Sequence, residues 1–247
     1  VMIQVKIFYA KNDLRNFSYL ILDKDSGDSW VIDPFDEKPI IEYIKKESLT
    51  LKGILNTHQH WDHIRGNANL IDYFKCHVLS KESNQLILDA QNKMSFVGTP
   101  GHTADHTAFF WEKEESILGL FSGDTLFNSG VGNCKNGGNV EDLYETTNRL
   151  RELSDEVVLY PGHDYVLNNL LFAKTCEPEN KAIDEALKLV RSSDTERGVA
   201  WTLGQEKKIN PFLRLDSDEI QHKVLEGTKV SDHKKLFIEL RSLRDNW

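Results

Sequence analysis

The sequence predicts an α/β domain followed by a helical segment. Short β-rich runs crowd the first 35 residues, strand and helix patterns alternate from there to Leu159, and from about Pro178 helical spacing takes over. The runs Val5–Tyr9, Tyr19–Leu22 and Trp30–Ile32 are rich in β-branched and aromatic residues and are separated by polar turns such as Asp25-Ser26-Gly27-Asp28. Ile40, Ile41 and Ile44 then recur at helical spacing ahead of Lys45-Lys46, a basic end that suits the helix dipole, and strand character returns at Leu51–Leu55. Ser95–Val97, Thr107–Trp111 and Ile117–Phe121 read as further strands, Val140, Leu143 and Leu150 as a helix, and Val157–Leu159 as a last strand. Ala182, Ile183, Ala186, Leu187 and Val190, and later Leu236, Phe237, Leu240 and Leu243, mark helices. A division near residue 174 separates 1–174 from 175–247, with no internal repeat or low-complexity segment in either part.

Composition narrows the function classes. With 39% hydrophobic and 28% charged residues, the chain sits in the ordinary globular range. No apolar stretch approaches the roughly 18 residues that span a membrane, and no basic region followed by an apolar run marks secretion. Three widely spaced cysteines, Cys76, Cys134 and Cys176, form neither a disulfide framework nor a thiolate zinc site, so a reducing cytoplasm is the expected compartment. The net charge of −9 opposes nucleic-acid binding, which depends on Lys and Arg. The charge is also uneven: residues 1–180 carry 17 Lys and Arg against 27 Asp and Glu, whereas residues 181–247 carry 13 against 12. No obligatory protein partner is indicated.

The chemistry is concentrated in Thr57-His58-Gln59-His60-Trp61-Asp62-His63, directly after the strand at Leu51–Leu55. In an extended segment His58, His60 and Asp62 share a face, so the chain must turn near Asp62 to aim both Asp62 and His63 inward. Imidazole and carboxylate donors suit zinc and other divalent first-row metals, and the lack of thiolates favours an open hydrolytic centre over a closed structural one. His102, Asp124 and His163 each follow a glycine after a strand-like run, a setting that allows a sharp turn into a shared cavity. Five imidazoles and two carboxylates suffice for two metals, one carboxylate bridging, with a water or hydroxide between them. Unpaired, so dense a set of polar rings would be costly to bury. His77, His222 and His233 lack such settings and read as ordinary surface or capping residues, while His106 reads as a hydrogen-bonding support rather than a ligand.

These segments resemble the metallo-β-lactamase superfamily and, within it, the hydroxyacylglutathione hydrolases, or glyoxalase II enzymes. The resemblance covers the His-x-His-x-Asp-His loop, Gly101-His102-Thr103, Gly123-Asp124-Thr125-Leu126-Phe127, Tyr160–Tyr165 with Asn168-Asn169, Glu177–Asn180, Asn210–Arg214 and Arg241–Trp247. It implies an αββα sandwich as the catalytic domain, residues 1–174, and a helical substrate-binding domain, residues 175–247. It implies that His58, His60 and His102 hold one metal and Asp62, His63 and His163 the other, with Asp124 bridging. The metals would be zinc, or else iron or manganese. The implied reaction is hydrolysis of S-(2-hydroxyacyl)glutathione, such as S-D-lactoylglutathione, with Asp62 and Asp124 as the catalytic carboxylates beside a metal-bound hydroxide.

On the glutathione side, the resemblance assigns substrate contacts to Tyr165 and to Arg241 and Arg244, three apart on a terminal helix. Two guanidiniums on one helical face can hold a carboxylate. The family places Lys and Tyr in a Gly-Lys-Phe-Tyr-like loop, where this chain has Gly132-Asn133-Cys134-Lys135-Asn136, leaving Lys135 as the substitute cation. That departure keeps open a thioesterase for another thiol. A mononuclear-iron persulfide dioxygenase and a catalytically inactive, metal-stabilised binding protein are the remaining alternatives.

Overall fold

Alternation along the early strands sends neighbouring side chains into two different cores. In the computed structural model, which describes residues 2–192, 200–224 and 232–247, β1 (Ile3–Tyr9), β2 (Phe17–Asp23), β3 (Asp28–Ile32) and β4 (Thr50–Leu55) form a sheet in that order. The pairs are antiparallel except β3–β4, which is parallel. Tyr19 and Ile21 face a second sheet, whereas Leu20 and Leu22 between them face helices. The second sheet orders its strands β11-β8-β7-β6-β5, formed by β5 (Gln85–Ile87), β6 (Asn92–Gly98), β7 (Thr107–Lys113), β8 (Ser116–Gly123) and β11 (Val158–Pro161), while β9 (Leu126–Phe127) and β10 (Gly130–Val131) pair apart from it.

Three of the chain's cores define the layers. Between the sheets, Phe17, Tyr19, Ile21, Trp30 and Ile32 meet Met94, Phe96, Phe109 and Phe121. Outside the first sheet, Ile40 and Ile44 of α1 (Glu37–Lys46) and Leu70 of α3 (Asn67–Phe74) cover Leu20, Leu22 and Val31. Outside the second, Leu143 and Leu150 of α4 (Val140–Arg151) and helices from the C-terminal region cover Ala108, Phe110, Leu120 and Leu159. The order helix, sheet, sheet, helix is the αββα sandwich that the family resemblance implies.

The C-terminal region supplies α5 (Val166–Cys176), α6 (Lys181–Ser192), α7 (Leu203–Ile209), α8 (Asp218–Val224) and α9 (His233–Asp245). Residue 174 lies inside α5. This helix buries Val166, Asn169, Leu170, Phe172, Ala173 and Cys176 on one broad face, but Leu167 and Leu171 lie on its outward face and Asn169 is polar, so no apolar stripe stands out in the sequence. The motif segments after it are structural ties: Arg214 grips the Glu177 carboxylate with two hydrogen bonds of 2.8 and 2.9 Å. Glu206, fully buried, accepts from Asn128 Nδ2 at 2.8 Å and the Ser129 amide at 2.7 Å. Trp201–Leu203 runs antiparallel to β11, with Leu159 N donating to Trp201 O and Leu203 N to Val157 O. No described helix is long and apolar enough to cross a membrane.

Candidate metal centre

Every candidate ligand leaves the C-terminal end of a strand. His58 follows β4, His102 follows β6, Asp124 directly follows β8 and His163 follows β11. The turn required near Asp62 is the four-residue helix α2 (Trp61–Ile64), which brings Asp62 and His63 round to the same side as His58. Gly123 shows why glycine precedes a ligand here: its φ is +48°, and a Cβ would press on Thr57 and His106.

The seven residues converge, and all but His60 are buried. Their donor atoms form three overlapping groups, each within 4.8 Å: His58, His60 and His102; His58, His63 and Asp124; Asp62, His63 and His163. Asp124 spans the set, with Oδ2 3.5 Å from His102 Nε2 and 3.2 Å from His163 Nε2, and Oδ1 3.3 Å from His63 Nε2. His77, His222 and His233 join none of these groups.

Hydrogen bonds on the outer ring nitrogens fix which atoms face inward. His102 Nδ1 donates to Asn133 O at 2.7 Å, His163 Nδ1 to Leu14 O at 2.7 Å, and His63 Nδ1 to Asp33 Oδ2 at 2.9 Å. Thr57 Oγ1 donates to Asp33 Oδ2 at 2.6 Å, so it accepts from His58 Nδ1 at 3.0 Å. His60 is turned the other way, donating from Nε2 to Asn136 O at 3.3 Å. With all five rings neutral, their inward nitrogens therefore present lone pairs. They face one another at 2.9 Å (His58 and His60), 3.0 Å (His60 and His102) and 3.2 Å (His63 and His163).

Facing lone pairs repel unless a cation lies among them, and Asp124 Oδ1 is buried without a hydrogen-bond partner. The electrostatics agree. Burial, helped by His63, pushes the His58 pKa down to about 2, and burial likewise lowers His102 and His106, so these rings stay neutral as ligands and supports require. Burial opposes charge on Asp124, but His163 and His63 outweigh it and hold the carboxyl well below its usual range. Burial also opposes a proton on His63, yet Asp124 and Asp33 prevail and raise it, which marks a demand for positive charge at that point. This donor set fits divalent metal ions.

Residues outside the expected set hold the candidate ligands in place. Asp33, at the end of β3, bonds the Thr57 amide, the Thr57 hydroxyl and His63 together. Its strand-end position was the available signal. Asn16 Nδ2 donates to Asp62 Oδ2 at 2.9 Å. His106 takes the supporting part: its Nε2 accepts from the Asp124 amide at 3.2 Å, its Nδ1 lies 2.8 Å from Thr99 Oγ1, and its ring stacks on His58.

Beside the cluster lies a polar cavity of about 230 Å³ lined by Lys135, Tyr165, Asn169, Arg241 and Arg244 among others. Tyr165 connects the two, its ring stacked on His163 with centroids 4.9 Å apart and planes 3° apart. Arg241 is largely committed, with Nη1 donating to Val131 O at 3.0 Å and Nη2 to Asp245 Oδ1 at 3.0 Å. Arg244, half-buried, donates to Asn169 Oδ1 at 3.3 Å. Lys135 Nζ stands 3.8 Å from Asp245.

An αββα sandwich with histidines and aspartates converging at its strand ends defines a metal-dependent hydrolase of the metallo-β-lactamase class. The family model described as Metallo-beta-lactamase superfamily matches residues 12–84, and that of Hydroxyacylglutathione hydrolase C-terminus matches residues 164–247. A hydroxyacylglutathione hydrolase of Polaromonas sp. is 34% identical, covering 98% of this chain and 99% of the relative. Another, from Rhodopseudomonas palustris, is 35% identical over 94% of each. Among solved structures, the fold is similar to a metallo-beta-lactamase from Staphylococcus aureus, with TM-score 0.65 and 20% identity over 98% of this chain and 71% of that one. The chain belongs to the hydroxyacylglutathione hydrolase family.

Proposed function

We propose that this chain hydrolyses the thioester of S-(2-hydroxyacyl)glutathione, S-D-lactoylglutathione being the representative substrate, to glutathione and a 2-hydroxy acid. The observation that carries this reading is the contact between two sites: Tyr165 stacks on His163 of the cluster and also lines the cationic cavity. An anionic thiol seated in that cavity would have its ester bond delivered to the cluster.

On this reading His58, His60 and His102 hold one metal ion, and Asp62, His63 and His163 the other. Asp124 lies between them, its two oxygens shared among His63, His102 and His163. Zinc is the expected metal, with iron or manganese as alternatives, because donors of this kind accept all three. Bound divalent ions supply Lewis acidity, polarising a carbonyl and lowering the pKa of water.

The chain's own residues supply the rest. Asn16 fixes Asp62 Oδ2, so this carboxylate can accept a proton from, and orient, an attacking water. Asp124, kept ionised among histidines, sets the charge of the centre. Arg244, Arg241 and Lys135 give the cavity a positive wall suited to glutathione's carboxylates, and Tyr165 aligns the thiol arm. A thiolate leaves readily, so no protein acid is needed for its departure. Residues 175–247 act as the substrate-binding part, contributing Arg241 and Arg244 from α9.

The test is hydrolysis of S-D-lactoylglutathione by purified protein, with metal content counted in the same preparation. Robust turnover by protein shown to be metal-free would overturn the mechanism. Preference for the ester of a different thiol would keep the chemistry and replace the substrate.

A further inference from the structure

Arg241 is 7% exposed, and its guanidinium points mostly into the protein. Nη1 donates to Val131 O at 3.0 Å and to Gly132 O at 3.3 Å, Nη2 pairs with Asp245, and Phe212 lies 5.4 Å from the guanidinium carbon. Its Nε is buried with no acceptor. The next carbonyl along that loop, Asn133 O, is the one that receives His102 Nδ1 at 2.7 Å. The loop has no slack against the centre: a Cβ at Gly132 would overlap the carbonyl oxygen of Asp124 and stand 3.1 Å from His102 Nδ1. The segment 131–133 is thus clamped between the Arg241 guanidinium on one side and His102 with Asp124 on the other.

We infer that Arg241 is a positioning residue for the metal ligand His102, acting as a strut from the C-terminal helix through the carbonyls of residues 131–133. The arginine pair is then unequal. Among the described residues Arg244 donates a hydrogen bond to Asn169 and is the freer of the two to grip substrate, whereas Arg241 lends the cavity charge while holding the loop that orients the imidazole. The inference rests on the reading of His102 as a ligand. An outer partner that fixes a ligand's orientation ordinarily changes metal affinity about 10- to 100-fold.

Cobalt(II) titration of the metal-free, full-length chain, followed by the visible bands of the bound ion, tests this without turnover. Arg241→Met should weaken one of the two equivalents about tenfold, while Arg244→Met, which removes the same charge from the same cavity, should titrate like the unaltered chain. Equal weakening in both variants would assign the effect to cavity charge and overturn the strut, as would an unchanged titration in Arg241→Met. Asp245→Asn, which loosens the guanidinium without emptying space, should shift the same equivalent in the same direction. It decides the matter if circular dichroism shows Arg241→Met to be unfolded, and no shift in it then overturns the inference. His102→Ala should lose that equivalent outright; if it titrates normally, the ligand reading itself fails and the strut with it.

Discussion

The Asp33 carboxylate reaches Nδ1 of His63 at 2.9 Å across 30 residues of chain, while its two oxygens also hold the amide and hydroxyl of Thr57. One side chain thereby sets both the course of the His58–His63 loop and the tautomer of a histidine inside it. Asp33→Asn keeps the size but turns an amide N–H toward His63. That ring must then carry its proton on Nε2, the nitrogen facing the cluster. Metal affinity should fall about 10- to 100-fold, read by competition with a chelator. Unaltered affinity would remove Asp33 from the centre's design.

Asp124 is the side chain whose oxygens reach histidines of both proposed metal groups. Asp124→Ala should lower kcat more than about 100-fold, beyond what loss of an outer hydrogen-bond partner brings, and should reduce bound metal. Metal analysis and steady-state kinetics on one preparation check it; full metal content with near-normal kcat would contradict the assignment.

Stripping metal should destabilise the fold as well as silence it. The inward ring nitrogens converge at 2.9–3.2 Å contacts, and with no metal ion there only a proton on His63 relieves their mutual repulsion, at a cost to the fold. Thermal unfolding with and without a strong chelator should differ by several degrees, restored by adding zinc. Coincident curves would argue against a metal-organised centre.

Arg244→Ala should raise KM roughly tenfold, the worth of one charge-assisted hydrogen bond, and leave kcat within about twofold, because a remote carboxylate is bound alike in ground and transition states. A fall in kcat with constant KM would place Arg244 in the chemical step instead.

Glu206 offers a pH test of the tie between α7 and the 128–130 segment. Burial raises its pKa from 4.5 to about 7, against hydrogen bonds from Asn128, Ser129 and Asn210 that favour the ionised form. With the folded pKa above the unfolded one, the native state binds more protons between those values. Its stabilising contribution is complete below about pH 4.5 and is lost as pH rises through about 7, on the order of 3 kcal/mol across the window. Denaturant unfolding from pH 5 to 8 should therefore show a steeper decline for the native chain than for Glu206→Gln; parallel profiles would contradict the raised pKa.

How much of this was legible beforehand follows from where the information lies. The His58–His63 cluster and the Gly-His and Gly-Asp settings are local, and local spacing survives in sequence. Asp33 and Asn16 act through contacts 24 to 46 residues away, where no periodicity links donor to acceptor. The loop at Asn133 and Asn136 is harder still, because it serves His102 and His60 with main-chain carbonyls that any residue would offer. The sequence marks a departure there from the family's lysine and tyrosine, but it cannot show that the backbone does the positioning. α5 escaped the periodicity that marked α1 and α6, since Leu167 and Leu171 put apolar residues on its outward face.

The pairing of Trp201–Leu203 with β11 reaches beyond catalysis. β11 ends the second sheet, and the strand it offers outward is satisfied by the very segment that leads into α7. A truncation designed to free the sandwich from its helical region would uncover a row of amides and carbonyls at that border, ready to zip onto another molecule. The predictable fate of such a fragment is self-association, and the C-terminal region is in this sense a built-in chaperone of the catalytic sheet.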